Sequence, residues 1–356
     1  MIADNLWLWV QIGALAFFGS LAVSGFMSIA GLGDASDDRS AHSGTIPTSG
    51  GLGILAGMGL SLSAIAMIFP ELNLPRSFAP LIALLFAVGI LGLVDDAITL
   101  SAKMKFGLML LICAAAVWLI GPPERLPFFA DSVLLPPFIG FIGAVLWIFV
   151  VMNAVNFMDG ANGMMGLSLM IANFALFGMG LISGSATTLL LSGLSLMVIF
   201  GFMPYNLRQR ARVFAGDVGS LSLSFLFAVT VLFLISETPG ETYHLVGPIL
   251  LLPFLADVLL TMVRRARERN NLFQAHNKHL YQRLIRQGVG HLIVSWLYAL
   301  AALLCANIVV IGVPRGWFNT LDIPLMMVGA ITAAYVLISR ALTDHQSANA
   351  RNHKAR

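Results

Sequence analysis

The sequence predicts an all-α, polytopic integral membrane protein of about eleven transmembrane helices, with its N-terminus outside and its C-terminus in the cytoplasm. Three observations carry this. Hydrophobic residues make up 58% of the 356, and the mean hydropathy is +0.88. Only 10% of residues are charged, against roughly 25% in an ordinary soluble domain. Lys and Arg fall almost wholly in alternate loops between apolar runs. A water-soluble fold is therefore excluded. With short connections throughout, residues 1–356 are expected to form one integral unit ending in a flexible cytoplasmic tail over 342–356.

Crossing about 30 Å of hydrocarbon takes about 20 apolar residues. Runs of that kind lie near 6–30, 50–70, 78–95, 105–121, 133–152, 164–182, 185–204, 218–236, 244–262, 290–312 and 321–341. Asp4 and the absence of Lys or Arg before the first run are wrong for a cleaved signal peptide, so that run is expected to stay as a helix. The third and fourth runs are short, and only Ser183-Gly184-Ser185 separates the sixth from the seventh. Cys113 and Cys305 sit inside apolar runs and are expected to be core residues, which argues against disulfides and thiolate metal sites.

The basic residues fix the orientation. Seventeen of the 20 Lys and Arg fall in one set of loops, and only Arg76, Arg125 and Arg315 in the other, so the first set is assigned to the cytoplasm. The agreement supports eleven spans, because a single missed or invented helix would scramble the alternation, and an odd count puts the termini on opposite sides. The outer loops, such as PELNLPRS and SETPGETYH, are short and carry nothing that looks catalytic.

The helix ends on the basic side gather polar motifs. The third run ends in LGLVDDAITLSAKMKF, where Asp95 and Asp96 are adjacent carboxylates that call for a cation or donor nearby. The fifth ends in NAVNFMDGANG. Asn153, Asn156 and Asp159 recur every third residue and share one face if the helix continues. Gly216-Asp217-Val218-Gly219-Ser220 opens the eighth run; Asp217 suits an N-cap, or a metal carrying phosphate oxygens at a helix N-terminus. The longest inner loop contains His276, His279, Arg283 and Arg286, which form one stripe if that loop is helical and suit a diphosphate. Together these residues suit metal-assisted phosphoryl transfer, with the membrane supplying a lipid co-substrate. A transporter with intramembrane carboxylates is the rival from another class. It predicts functional charges near mid-membrane, whereas the motif acids here lie at helix ends.

The order DDxxxLS…K, NAxNFxDGxxG, FxGDxGSL and a late His-bearing loop resembles the polyprenyl-phosphate N-acetylhexosamine-1-phosphate transferases, from PTSGGLGI at 47–54 to QAHNKHLYQRL at 274–284. The resemblance implies a multi-pass enzyme of a bacterial inner membrane with its site facing the cytoplasm. Such an enzyme moves a sugar-1-phosphate from a UDP-activated amino sugar to undecaprenyl phosphate, releases UMP, and needs Mg²⁺ or Mn²⁺. It further implies catalytic roles for Asp95, Asp96, Asp159 and Asp217, and metal binding by Asp217 and Asp96. Lys105, Asn153, Asn156, His276, His279 and Arg283 become the substrate-binding candidates. The expected partners are the UDP-amino sugar, undecaprenyl phosphate, the bilayer and, as a candidate assembly, a second copy of the chain; nucleic acid is not among them. Asn162 stands where relatives usually carry Asp. The late loop lacks the HHHFE of the phospho-MurNAc-pentapeptide translocase, which argues against that alternative, and its AHxxHLYQRL form looks most like the O-antigen-initiating branch.

Overall fold

A computed structural model describes residues 6–31, 47–68, 75–128, 131–238, 240, 242–271 and 277–354. The chain runs α1 (Leu6–Ala30), α2 (Gly51–Ile68), α3 (Phe78–Ile98), α4 (Ala102–Ile120), β1 (Arg125–Phe128), β2 (Asp131–Leu134), α5 (Pro137–Phe157), α6 (Met164–Ser183), α7 (Ala186–Asn206) and α8 (Gly216–Glu237). It continues through α9 (Val246–Leu250), α10 (Leu252–Arg267), α11 (Leu280–Arg286), α12 (His291–Gly312) and α13 (Asp322–Lys354). Among the described residues, nine helices are long and apolar enough to cross a membrane, and α2 is a shorter apolar helix.

Local chemistry sets the boundaries. The narrow break between the sixth and seventh spans is a true turn: Gly184 closes α6 in the left-handed region (φ 78°), and the Ser185 hydroxyl caps α7 by accepting the Thr188 N–H at 3.2 Å. Pro137 starts α5 at the position where a missing N–H does no harm.

Three elements depart from the expectation. The ninth span is not continuous but divides into α9 and α10, with the break at Leu251. Pro253 has no N–H to offer the preceding turn, and its ring crowds the carbonyl four residues back. Residues 125–128 and 131–134, expected to be loop and the start of the fifth span, pair as two antiparallel strands with Arg125 opposite Leu134. The tail expected to be flexible continues α13 as helix to Lys354, through a stretch without Gly or Pro.

At the centre lies α8, which packs against α2, α3, α4, α5, α6 and α7 and is buried along nearly its whole length. Ser224 and Thr230 each donate back to a carbonyl one turn earlier.

Candidate active site

Four chain segments converge on the first turn of α8. PTSGGLG, before α2, supports that turn from below: the Phe214 N–H donates to the Pro47 carbonyl at 2.8 Å, and the Gly50 and Gly51 N–H groups donate to the Phe214 and Ala215 carbonyls at 2.9 and 3.0 Å. Gly216 takes φ 61° there, and a Cβ on it would sit 2.3 Å from the Thr48 carbonyl oxygen, so only glycine fits.

The DDxxxLS…K motif is a helix–turn–helix that folds Lys105 back onto the aspartates. Asp95 ends α3 by accepting the Leu100 N–H on Oδ1 at 2.7 Å, and Thr99 takes the left-handed conformation at the turn. Ser101 then caps α4, its hydroxyl accepting the Met104 N–H at 3.3 Å. Lys105 consequently lies one turn into α4, where Nζ donates to Asp95 Oδ2 at 2.8 Å and to Asp217 Oδ2. Asp96 receives the Asp217 backbone N–H, 3.1 Å from Oδ2, which places a carboxylate at the positive end of α8. Asp217 sits inside the first helical turn, past the N-cap position at Ala215.

Asn156, in the last turn of α5, donates to Asp217 Oδ1 at 2.7 Å and to Ser220 Oγ at 2.9 Å. Asp159 reaches the same place by another route than the expected shared face: α5 stops at Phe157, and residues 158–163 form turns. From there its carboxylate meets the backbone N–H groups of Gly216 and Ala215. Burial, and then the negative charges of Asp217 and Asp96, hold Asp159 well above the usual carboxylate range. Asn153 does not join the cluster, since its amide donates to the Phe149 carbonyl of its own helix at 2.8 Å.

The late segment differs from the expected stripe. His276 lies outside the described residues. His279 precedes α11, so no helix runs through both histidines. His279 is 2% exposed and stacks between Phe157 (ring centroids 5.8 Å apart) and Tyr281 (6.2 Å), against the α5 end that carries Asn156. Arg283 was expected to grip a diphosphate. Its guanidinium is instead taken up by α13, donating to the Ser339 hydroxyl, to the Ser339 carbonyl at 2.9 Å and to Thr343 Oγ1 at 3.0 Å. The first turn of α11 faces α13, which leaves Arg283 no short route to the carboxylates.

Asn162 has a structural task. It is fully buried, and its amide donates to the Arg208 and Gln209 carbonyls at 2.7 and 3.0 Å. Asn162→Asp therefore sets a buried carboxylate against two carbonyl oxygens, and we expect it to cost about 3 kcal/mol of stability. A drop in the thermal unfolding midpoint in detergent checks this; an unchanged midpoint contradicts it.

Asp95, Asp96, Asp159 and Asp217 form a dense group of negative charge, and Lys105 places one cation between Asp95 and Asp217. Among the described residues, no three His, Cys, Asp or Glu side chains form a ready metal cage. Mg²⁺ needs less, because it keeps several waters and commonly takes one or two carboxylates plus substrate phosphates. The oxygen donors of Asp96 and Asp217 fit that demand. Two residues that sequence reasoning did not single out also shape the site. Tyr281 donates its hydroxyl to the Phe157 carbonyl at 3.0 Å, against Gly160, and Gly92 lets α3 touch the α8 backbone. Their signal was the glycine opposite each contact, which has meaning only once the partner is known.

Comparison with known proteins gives the following. The sequence profile of glycosyl transferase family 4 matches residues 78–235, a stretch that holds Asp95, Asp96, Lys105, Asn156, Asp159 and Asp217 but not His279. The chain is 26% identical over 302 residues to a probable undecaprenyl-phosphate N-acetylglucosaminyl 1-phosphate transferase of Bacillus subtilis, covering 83% of this chain and 81% of that protein. It is 26% identical over 299 residues to the undecaprenyl-phosphate alpha-N-acetylglucosaminyl 1-phosphate transferase of Escherichia coli K12 (78% and 76% covered). The protein of that same description from Yersinia pestis is 28% identical over 293 residues (79% and 77%).

Proposed function

We propose that the chain is a polyprenyl-phosphate N-acetylhexosamine-1-phosphate transferase of glycosyl transferase family 4, joining a UDP-activated N-acetyl amino sugar to undecaprenyl phosphate. An oxygen of the lipid phosphate attacks the sugar-linked phosphorus. The bond from that phosphorus to the bridging oxygen breaks, and UMP leaves with the electron pair. The observation that carries the reading is the assembly of Asp95, Asp96, Asp217, Lys105 and Asn156 around the N-terminus of α8.

The roles follow from position. Lys105 supplies positive charge to phosphate oxygens between Asp95 and Asp217. Asp95 orients the lipid phosphate, which needs little help from a base because its second pKa of about 6 leaves it mostly dianionic at neutral pH. Asn156 and Asp159 face the uridine or sugar side, and His279 the diphosphate. Asp217 and Asp96 would hold Mg²⁺ or Mn²⁺, which when bound neutralises charge developing on the bridging oxygen. The site opens to the cytoplasm of a bacterial inner membrane, on the side where 17 of the 20 basic residues gather. The product starts an O-antigen or other envelope polysaccharide.

Membranes or purified protein incubated with undecaprenyl phosphate, Mg²⁺ and a panel of UDP-sugars test this. Release of UMP with a matching lipid-linked sugar phosphate is expected. UDP-N-acetylglucosamine is the first donor to try, because the relatives are named for it; 6-deoxy amino sugar donors come next, because the AHxxHLYQRL segment resembles the O-antigen-initiating branch. No UMP with any donor would sink the reading.

A further inference from the structure

Asp257 is a buried acid that the chemistry above does not use. It lies in α10, is 1% exposed and sits in an otherwise apolar stretch, LPFLADVLL. A carboxylate this deep is costly unless donors surround it. Here they come from several helices. Oδ1 accepts the Leu280 N–H at 2.8 Å and the Thr261 hydroxyl at 3.1 Å; Oδ2 accepts the Tyr298 hydroxyl of α12 at 2.6 Å and the Tyr281 N–H at 3.3 Å. The His279 Nδ1 atom stands 3.6 Å from Oδ1. Thr261 is in turn 2.9 Å from the Tyr335 hydroxyl of α13.

Three of these contacts fall on one stretch of chain, His279, Leu280 and Tyr281. That segment touches the catalytic end of α5 twice, through the His279 ring on Phe157 and through the Tyr281 hydroxyl on the Phe157 carbonyl. Gly160 permits the second contact, because a Cβ there would lie 2.2 Å from the Tyr281 hydroxyl oxygen. Phe157 directly follows Asn156, whose amide holds Asp217. A continuous run of contacts thus leads from Asp257 to the carboxylate cluster. A purely local cap for α11 would need the two backbone N–H groups alone, and would leave Tyr298 and His279 out.

We infer that Asp257 is a positioning residue, fixing the His279–Tyr281 segment against the end of α5 so that His279 stands ready for the sugar-nucleotide diphosphate. The inference rests on the transferase reading and adds a specific consequence: loss of Asp257 weakens donor use and leaves use of the lipid phosphate untouched. The full chain in detergent is assayed by UMP release, varying donor and undecaprenyl phosphate separately, beside thermal unfolding, for wild type, Asp257→Asn and Tyr298→Phe. Asp257→Asn is expected to raise the donor KM about tenfold or more with the KM for undecaprenyl phosphate unchanged, and to lower the unfolding midpoint because its amide N–H groups face buried donors. Tyr298→Phe, which removes a single donor, is expected to move the donor KM the same way by about threefold. An unchanged donor KM in both variants overturns the inference, as does a parallel rise in both KM values. If Asp257→Asn does not yield folded protein, Tyr298→Phe decides alone, and a wild-type donor KM in that variant overturns the inference. Failure of the wild type to release UMP overturns the transferase reading and this inference with it, whereas an active wild type with unaffected variants overturns the inference alone.

Discussion

Asp217→Asn abolishes transfer, with UMP release falling about a thousandfold or more while the protein folds as before. The substitution keeps the side chain's shape. Its oxygen still accepts from Asn156, and what is lost is one negative charge beside Lys105 and the proposed metal position. Removing a single well-placed electrostatic group from an active site commonly costs about a hundredfold to a thousandfold in turnover, and here the same group also binds the cation. Stability should not follow activity. Asp217 shares its surroundings with Asp95, Asp96 and Asp159, so neutralising it relieves repulsion and offsets the weakened tie to Lys105, which keeps Asp95 at 2.8 Å. UMP release at saturating Mg²⁺ and the thermal midpoint, measured on one preparation, check both halves. Turnover above a tenth of wild type would falsify the assignment of Asp217.

Gly92→Ala is the second large effect, and it reaches the site without touching a polar side chain. A Cβ on Gly92 would lie 2.6 Å from the Asp217 carbonyl carbon and 2.6 Å from the Val218 nitrogen. Both are backbone of the helix at the centre of the bundle, which cannot yield, so α3 must move. Asp95 and Asp96 move with it, since they follow three and four residues later on the same helix. Misplacing reacting groups by about 1 Å costs about a hundredfold, and that is the loss expected here. Overpacking of this kind costs about 1–3 kcal/mol, against which Ala regains about 1 kcal/mol of helix propensity, so folded protein remains to be assayed. Gly143→Ala is the control, because nothing lies within 4 Å of a Cβ there; equal activity of the two variants would refute the steric argument.

The sequence made the helices legible because run length and loop charge are one-dimensional signals. Even the slight break at Ser183-Gly184-Ser185 marks a real turn. The ninth span was less legible: its apolar content is continuous, and only the prolines hint at the division into α9 and α10. In the site, Asp95, Asp96, Lys105, Asn156, Asp159 and Asp217 were marked by type and spacing and meet at one place. How they meet was not readable. Three-residue spacing suggested that Asp159 shared a helical face with Asn156, yet α5 stops at Phe157 and a turn delivers it. Arg283 shows the limit most plainly. Its charge suits phosphate, but its partners Ser339 and Thr343 lie more than fifty residues later, and no local pattern announces them.

The central position of α8 bears on turnover. Its first turn carries Asp217 and receives Asp96, Asp159 and, through Asn156, the end of α5, while the rest of the helix is enclosed by the helices around it. The groups assigned to the proposed transfer therefore meet at one end of the most enclosed candidate span among the described residues, which suits a template held in one shape by packing. The His279–Tyr281 segment stands at the rim, joined to that template through Phe157 and to the outer helices through Asp257. Under the proposed transfer, exchange of spent nucleotide for fresh donor becomes a matter of the rim, while the floor beneath it can keep one shape throughout the cycle.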